Sequence, residues 1–180
     1  MTPLMTQPEI SFLEQTLVSL ARKRRVLECL EWGAGGSTVH FTRFLDGRRI
    51  DYQWLALEHD PQWFEKVTAA IGANPKVRVV YFDIGAGDAH WKSVTMDDYV
   101  HYPRTLRRKY DFILVDGRKR RRCLLEAASV LKAAGRVVLH DASRKYYHCA
   151  FERYRISKMA LPDLWIGGTA PRLVNYGKLR

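Results

Sequence analysis

Five carboxylates in this chain stand where apolar runs end: Glu31, Glu58, Asp83, Asp116 and Asp141. Glu31 is followed by Trp32-Gly33-Ala34-Gly35-Gly36-Ser37-Thr38. Glycines in such a turn let backbone and ligand approach closely and allow positive φ, because no Cβ stands in the way. A helix from about Ser37 to Leu45 would aim its first N–H groups at the same place. Apolar run, acid and glycine turn together read as a buried strand that ends in a nucleotide-type pocket. The last acid is preceded by His140. A histidine can act as a base near neutral pH. Two carboxylates such as Asp116 and Asp141 could instead hold a hard divalent cation.

Elements must bring these residues together. Residues 7–24 read as an amphipathic helix, with Ile10, Leu13, Leu17, Leu20 and Ala21 on one face and Pro8 in its first turn. Strands are expected at 26–32, 53–58, 77–82, 111–116 and 136–140. Pro61 opens a helix to about Ile71, ended by Gly72. A long loop over 83–109 contains a short helix near 94–99. A further helix runs over 119–134, with Gly135 as its stop. The tail from about Phe151 forms a closing antiparallel pair around Leu161-Pro162-Asp163. Alternating strands and helices predict a doubly wound, mostly parallel, Rossmann-like α/β sheet with helices on both faces. Its ligand site lies at the carboxyl ends of the strands, where strand order reverses. One domain is expected over 1–180, with a core at 26–141 and a closing segment at 142–180.

With 180 residues and 47% hydrophobic content, the chain suits one globular domain. No apolar run is long enough to span a bilayer, and Met1 to Met5 does not open a signal peptide. Three cysteines without a CxxC spacing fit a reducing cytoplasm. Cys29 reads as a small core residue, and Glu28 as a structural ion pair. The net charge of +11 points to anionic partners. Bases cluster at Arg104 to Lys109 and at Arg118 to Arg122. The second cluster begins a helix, where bases oppose the dipole. That local cost points to a grip on an anionic substrate, for which arginine is suited. A solvated, solubilising face is the alternative.

The chain resembles the class I S-adenosylmethionine-dependent methyltransferases. Glu31-Trp32-Gly33-Ala34-Gly35-Gly36-Ser37 is similar to their first motif. Leu57-Glu58-His59-Asp60-Pro61 is similar to the second, Asp116-Gly117 closes the fourth strand, and Lys132-Ala133-Ala134-Gly135 resembles the turn before the fifth. Two positions depart from the pattern: Ser37 replaces a glycine, and Ala134 stands where the first glycine of that turn is usual. The chain also resembles a bacterial subgroup with Glu-His-Asp-Pro, Asp-Gly-Arg-x-Arg and His-Asp motifs.

The resemblance implies S-adenosylmethionine as cofactor, in a site formed by Glu31, Gly33, Ala34, Gly35, Ser37, Glu58, His59, Asp83, Ile84 and Asp116. Glu31 would attract the ammonium group, directly or through water, Glu58 the ribose diol, and Asp83 with Ile84 the adenine. Each strand-end acid has a structural alternative as a cap of the next turn. Asp116, His140 and Asp141 are the catalytic candidates, with Asp116 and Asp141 also the candidate ligands of a divalent cation. Tying down the loop after strand five is the other reading of His140. Arg118, Arg120, Arg144 and Tyr147 would grip substrate. Trp91, Tyr99 and Tyr102 would form a lid or cover the sheet edge.

The expected reaction is methyl transfer to an oxygen or nitrogen of an anionic small-molecule or saccharide acceptor. Three alternatives stay open: an RNA methyltransferase using the basic face, a non-catalytic binding protein of the same fold, and a nicotinamide-dependent oxidoreductase. Against the last, the dinucleotide fingerprint needs a glycine where Thr38 stands. Oligomeric state is left open.

Overall fold

The computed structural model describes residues 1–85 and 92–169. Strands β1 (Leu27–Trp32), β2 (Tyr52–Glu58), β3 (Val77–Tyr81), β4 (Tyr110–Val115) and β5 (Leu131–His140) run parallel. The tail adds β6 (Ile156–Leu161) and β7 (Leu164–Gly168) as the expected antiparallel pair, and β7 also pairs antiparallel with β5. The order is β3-β2-β1-β4-β5-β7-β6, so it reverses at β1, which pairs with β2 on one side and β4 on the other.

The parallel strands are apolar without interruption because both faces are covered. Leu27, Cys29, Phe112 and Leu114 point to the face carrying α1 (Gln7–Ala21), α2 (Gly36–Gly47) and α3 (Pro61–Ile71). Leu30, Trp32, Ile113 and Val115 point to the opposite face, under α4 (Asp97–Thr105), α5 (Arg120–Val130) and a 3-10 helix over Lys145–Arg153.

Three expectations are corrected. The helix after β4 ends at Val130, and Gly135 is no helix stop. Leu131 instead pairs with Tyr110 and starts β5, whose register slips between Tyr110 and Phe112. Ala134 takes the slack with φ 64°. Glu28 forms no ion pair among the described residues. The paired acid is Asp111, whose buried carboxylate accepts from Arg24 Nε at 2.5 Å, Lys132 Nζ at 2.7 Å and the Glu28 N–H at 3.1 Å. A buried carboxylate needs such partners. The helix placed near 94–99 is α4, which runs on through Pro103. Proline lacks the N–H that would bond to the Tyr99 carbonyl. That carbonyl accepts instead from Trp32 Nε1 at 3.1 Å, so the side chain at the end of β1 makes good the defect in the helix above it.

Candidate active site

Where the order reverses, the loops after β1, β2, β4 and β5 surround a cavity of about 410 Å³. The glycines of the β1 loop have separate roles. Gly33 has φ 97°, and a Cβ there would lie 2.5 Å from Gly117 in the loop after β4, so it is fixed by the crossing of two loops. A Cβ on Gly36 would collide with the Thr2 carbonyl, which passes over it. Gly35 has extended φ, lines the cavity, and a Cβ on it would meet nothing within 4 Å.

Glu31 does not line the cavity. It is fully buried behind the loop and accepts from Ser37 Oγ, from Thr38 Oγ1 at 2.7 Å and from Trp54 Nε1 at 2.9 Å. Burial pushes its pKa up to about 7, against the pull of those three donors. Ser37 therefore directs its hydroxyl inward, and Thr38 also accepts the Gly35 N–H at 3.0 Å. The acid of the first motif thus holds the loop from behind, through Ser37, Thr38 and Trp54.

Glu58, His59 and Asp60 line the cavity beside Gly33, Ala34 and Gly35. Glu58 Oε1 accepts the N–H groups of His59 and Asp60, each at 2.8 Å, leaving Oε2 without a donor among the described residues. His59 Nδ1 lies 2.9 Å from the same Oε1. Asp60 caps α3, accepting from the N–H groups of Gln62 and Trp63. Trp63 and Leu4 stand exposed at the cavity wall. Asp83 and Ile84 are not brought to this cavity. They line a neighbouring one with Phe82 and Tyr102, and Asp83 Oδ1 caps its own turn by accepting the Gly85 N–H at 2.9 Å. Of the lid candidates, Tyr99 is buried in the core, Tyr102 packs on Phe82, and Trp91 lies outside the described residues.

On the other side, β4 and β5 bring Asp116, His140 and Asp141 together. His140 Nδ1 lies 3.0 Å from Asp116 Oδ1. Its Nε2 lies 3.8 Å from Glu9 Oε1, a residue of α1 that the sequence reading missed. Glu9 is three residues after Thr6 and closes a capping box with it. That spacing signals a helix start, and nothing in it signals a reach to β5. Burial opposes the charged imidazole, but Asp116, Asp141 and Glu9 outweigh it and raise the His140 pKa above its usual value.

Arg120 ties the two loops. It donates to the carbonyls of Gly117, His140 and Asp116 and to Asp141 Oδ2 at 2.8 Å, and its guanidinium lies 3.1 Å from Asp116 Oδ1. Burial would raise the Asp141 pKa, yet Arg120, His140 and Arg144 hold it below the usual carboxylate range. Lys119 and Asp141, both at positive φ, flank this knot. Strain of that kind persists only where surrounding bonds over-determine it. The cation expected between Asp116 and Asp141 is not supported. A guanidinium holds that place, and no cluster of three or more metal-ligating side chains occurs among the described residues.

The substrate grip is also revised. Arg120 lines the cavity with its donors engaged internally, and Arg122 is turned away to Asp97 and the Thr95 carbonyl. Arg144 is exposed and reaches Asp141 at 3.2 Å. Tyr147 is core, whereas Tyr146 is exposed and stacks under Arg121 at 4.5 Å. Arg118 lines the cavity.

A mostly parallel sheet in this order, closed by an antiparallel pair, with a glycine loop at the reversal, is the fold of the class I S-adenosylmethionine-dependent methyltransferases. No protein-family profile and no curated protein sequence matches the chain. Solved structures do. It is similar to a methyltransferase-like protein from Silicibacter pomeroyi at 26% identity and TM-score 0.69, over 92% of this chain and 86% of that one. An O-methyltransferase from Bacillus cereus in complex with SAH shares 14% identity over 91% and 82% of the two chains, with TM-score 0.61. Human methyltransferase-like protein 13, also in complex with SAH, shares 15% over 89% and 83%, with TM-score 0.60.

Proposed function

We propose that this chain is an S-adenosylmethionine-dependent methyltransferase acting on an oxygen or nitrogen of an anionic small-molecule or saccharide acceptor. The observation that carries the reading is a single cavity bounded by the open face of Gly35, the unengaged Oε2 of Glu58 and the Asp116–His140 pair. The residues present fit the cofactor: Glu58 Oε2 would accept from the ribose diol, and Gly35 leaves the space that a Cβ would fill. When bound, the cofactor supplies an activated methyl group.

The protein's own part is to orient the acceptor and remove its proton. With Nδ1–H donated to Asp116, the Nε2 lone pair of His140 is left to take that proton, and Glu9 steadies the resulting imidazolium. Arg120 holds both loops so that base and orienting carboxylate keep their separation. Arg118, Arg144 and the Arg121–Tyr146 pair at the rim supply positive charge for an anionic acceptor.

The test is calorimetry with S-adenosylmethionine, S-adenosylhomocysteine and NAD. The first two should bind and NAD should not. Losing a charged acceptor costs on the order of 1.5–3 kcal/mol, so Glu58→Ala should weaken S-adenosylhomocysteine about tenfold or more. Wild-type affinity in a folded Glu58→Ala protein would refute this placement of the ribose.

A further inference from the structure

The bases at the rim of the cavity are largely engaged: Arg120 and Arg144 each hold a carboxylate, and Arg121 lies over the Tyr146 ring. At the opposite edge, where the parallel strands begin, they are not. The segments entering β1 and β2 carry Arg22, Lys23, Arg25, Arg48 and Arg49, all exposed. None has an ion pair among the described residues; Arg48 only covers the Phe44 ring at 4.8 Å. Together with Asp51, the one carboxylate among its lining residues, and Arg24, which is paired with Asp111, these four arginines wall a concavity of about 860 Å³. The segment entering β4, the next strand over, adds exposed Arg107 and Arg108.

Like charges on adjacent loops repel and would be relieved by an anion. β1 spans six residues, which at about 3.3 Å each sets this edge roughly 20 Å from the cavity. Charge at that distance cannot hold an acceptor against His140.

We propose that the strand-start edge is a docking surface for RNA, read through its phosphate backbone. Arginine forks match phosphate oxygens. Among the described residues that line the concavity there is no aromatic ring on which bases could stack, so recognition runs through phosphates. Among the described residues no helix or ribbon projects there to enter a DNA major groove, whereas duplex RNA is read by shape and backbone. RNA held here is a partner and not the acceptor, because the cavity opens at the other end of the sheet. This surface does not depend on the methyltransferase reading.

The test is fluorescence anisotropy with a labelled RNA hairpin whose duplex is about 16 base pairs long, across a salt series. Wild type should bind, with log affinity falling linearly against log salt. Joint Arg22→Glu, Arg25→Glu and Arg49→Glu changes should weaken binding by about tenfold or more and flatten the salt slope by about 2 to 3. Joint Arg121→Glu and Arg144→Glu changes at the rim should leave it within about twofold. If charge reversal unfolds the protein, Arg22→Gln with Arg49→Gln removes charge alone and should still flatten the slope by about 2. Thermal melting checks the fold, and unchanged S-adenosylhomocysteine affinity separates this surface from the cavity. The proposal is overturned if wild type does not bind the hairpin at low salt, if the rim variants lose as much as the edge variants, or if a DNA duplex of equal length binds as tightly.

Discussion

Two glycines of one motif answer to different neighbours, and that decides which can report on a ligand. Gly33 is held by Gly117, so a side chain there disturbs two loops whether or not a ligand binds. Gly35 faces open cavity at extended φ. Gly35→Val should therefore keep the melting temperature while lowering S-adenosylhomocysteine affinity at least about tenfold by filling ligand space; calorimetry beside a thermal melt checks both. The proposed role of His140 as base can be probed in the same way. The His140 pKa is raised by Asp116, Asp141 and Glu9, so the imidazole carries its proton above pH 6.5 and must lose it to act. Methyl transfer should rise with pH along a limb centred above 6.5, and Asp116→Asn should move that limb to lower pH while cutting turnover by roughly 10²-fold. A limb unmoved in Asp116→Asn would make His140 structural. Asp116 and His140 were legible as neighbours because they close consecutive strands. Glu9 was not, since its contact depends on how α1 lies against the sheet end.

Among the elements, the strands were read well because each is a short apolar run ending in an acid, and β6 and β7 were marked by the Pro162-Asp163 turn. The boundary between α5 and β5 was misread. Residues 131–135 have helix-compatible composition, and only tertiary pairing of Leu131 with Tyr110 makes them strand. The bulge leaves exposed Ala134 at φ 64°, a conformation costing about 1 kcal/mol for a residue with a Cβ. Ala134→Gly relieves that cost against a smaller loss of backbone entropy. It should raise stability by roughly 0.5 kcal/mol, read as a higher denaturant midpoint at unchanged slope; a lower midpoint would contradict the strain. Asp83 and Ile84 show the other limit. The end of β3 was placed correctly, but the turn capped by Asp83 sends both residues to a separate cavity.

At the scale of the whole molecule, stability is tied to one buried acid. Glu31 takes a proton at about pH 7 when folded, against 4.5 for a free glutamate. The folded state binds that proton more tightly, so stability falls as pH rises from about 4.5 to about 7 and levels off above. At 1.36 kcal/mol per unit the effect is on the order of 3 kcal/mol. Glu31→Gln should flatten this window and leave the protein more stable than wild type at pH 8, as chemical denaturation across pH would show; an unchanged pH profile would mean that Glu31 stays charged inside. His140 keeps its own fall in stability as pH rises through its raised pKa. The path of the first residues has a practical corollary. Thr2 crosses Gly36, and Leu4 forms part of the cavity wall. An affinity tag fused ahead of Met1 would start beside the cavity mouth, where a histidine tract could shield it or scavenge an acidic ligand. Calorimetry and acceptor screens should therefore be run on protein whose N-terminal tag has been cleaved away, with the uncleaved preparation as the comparison.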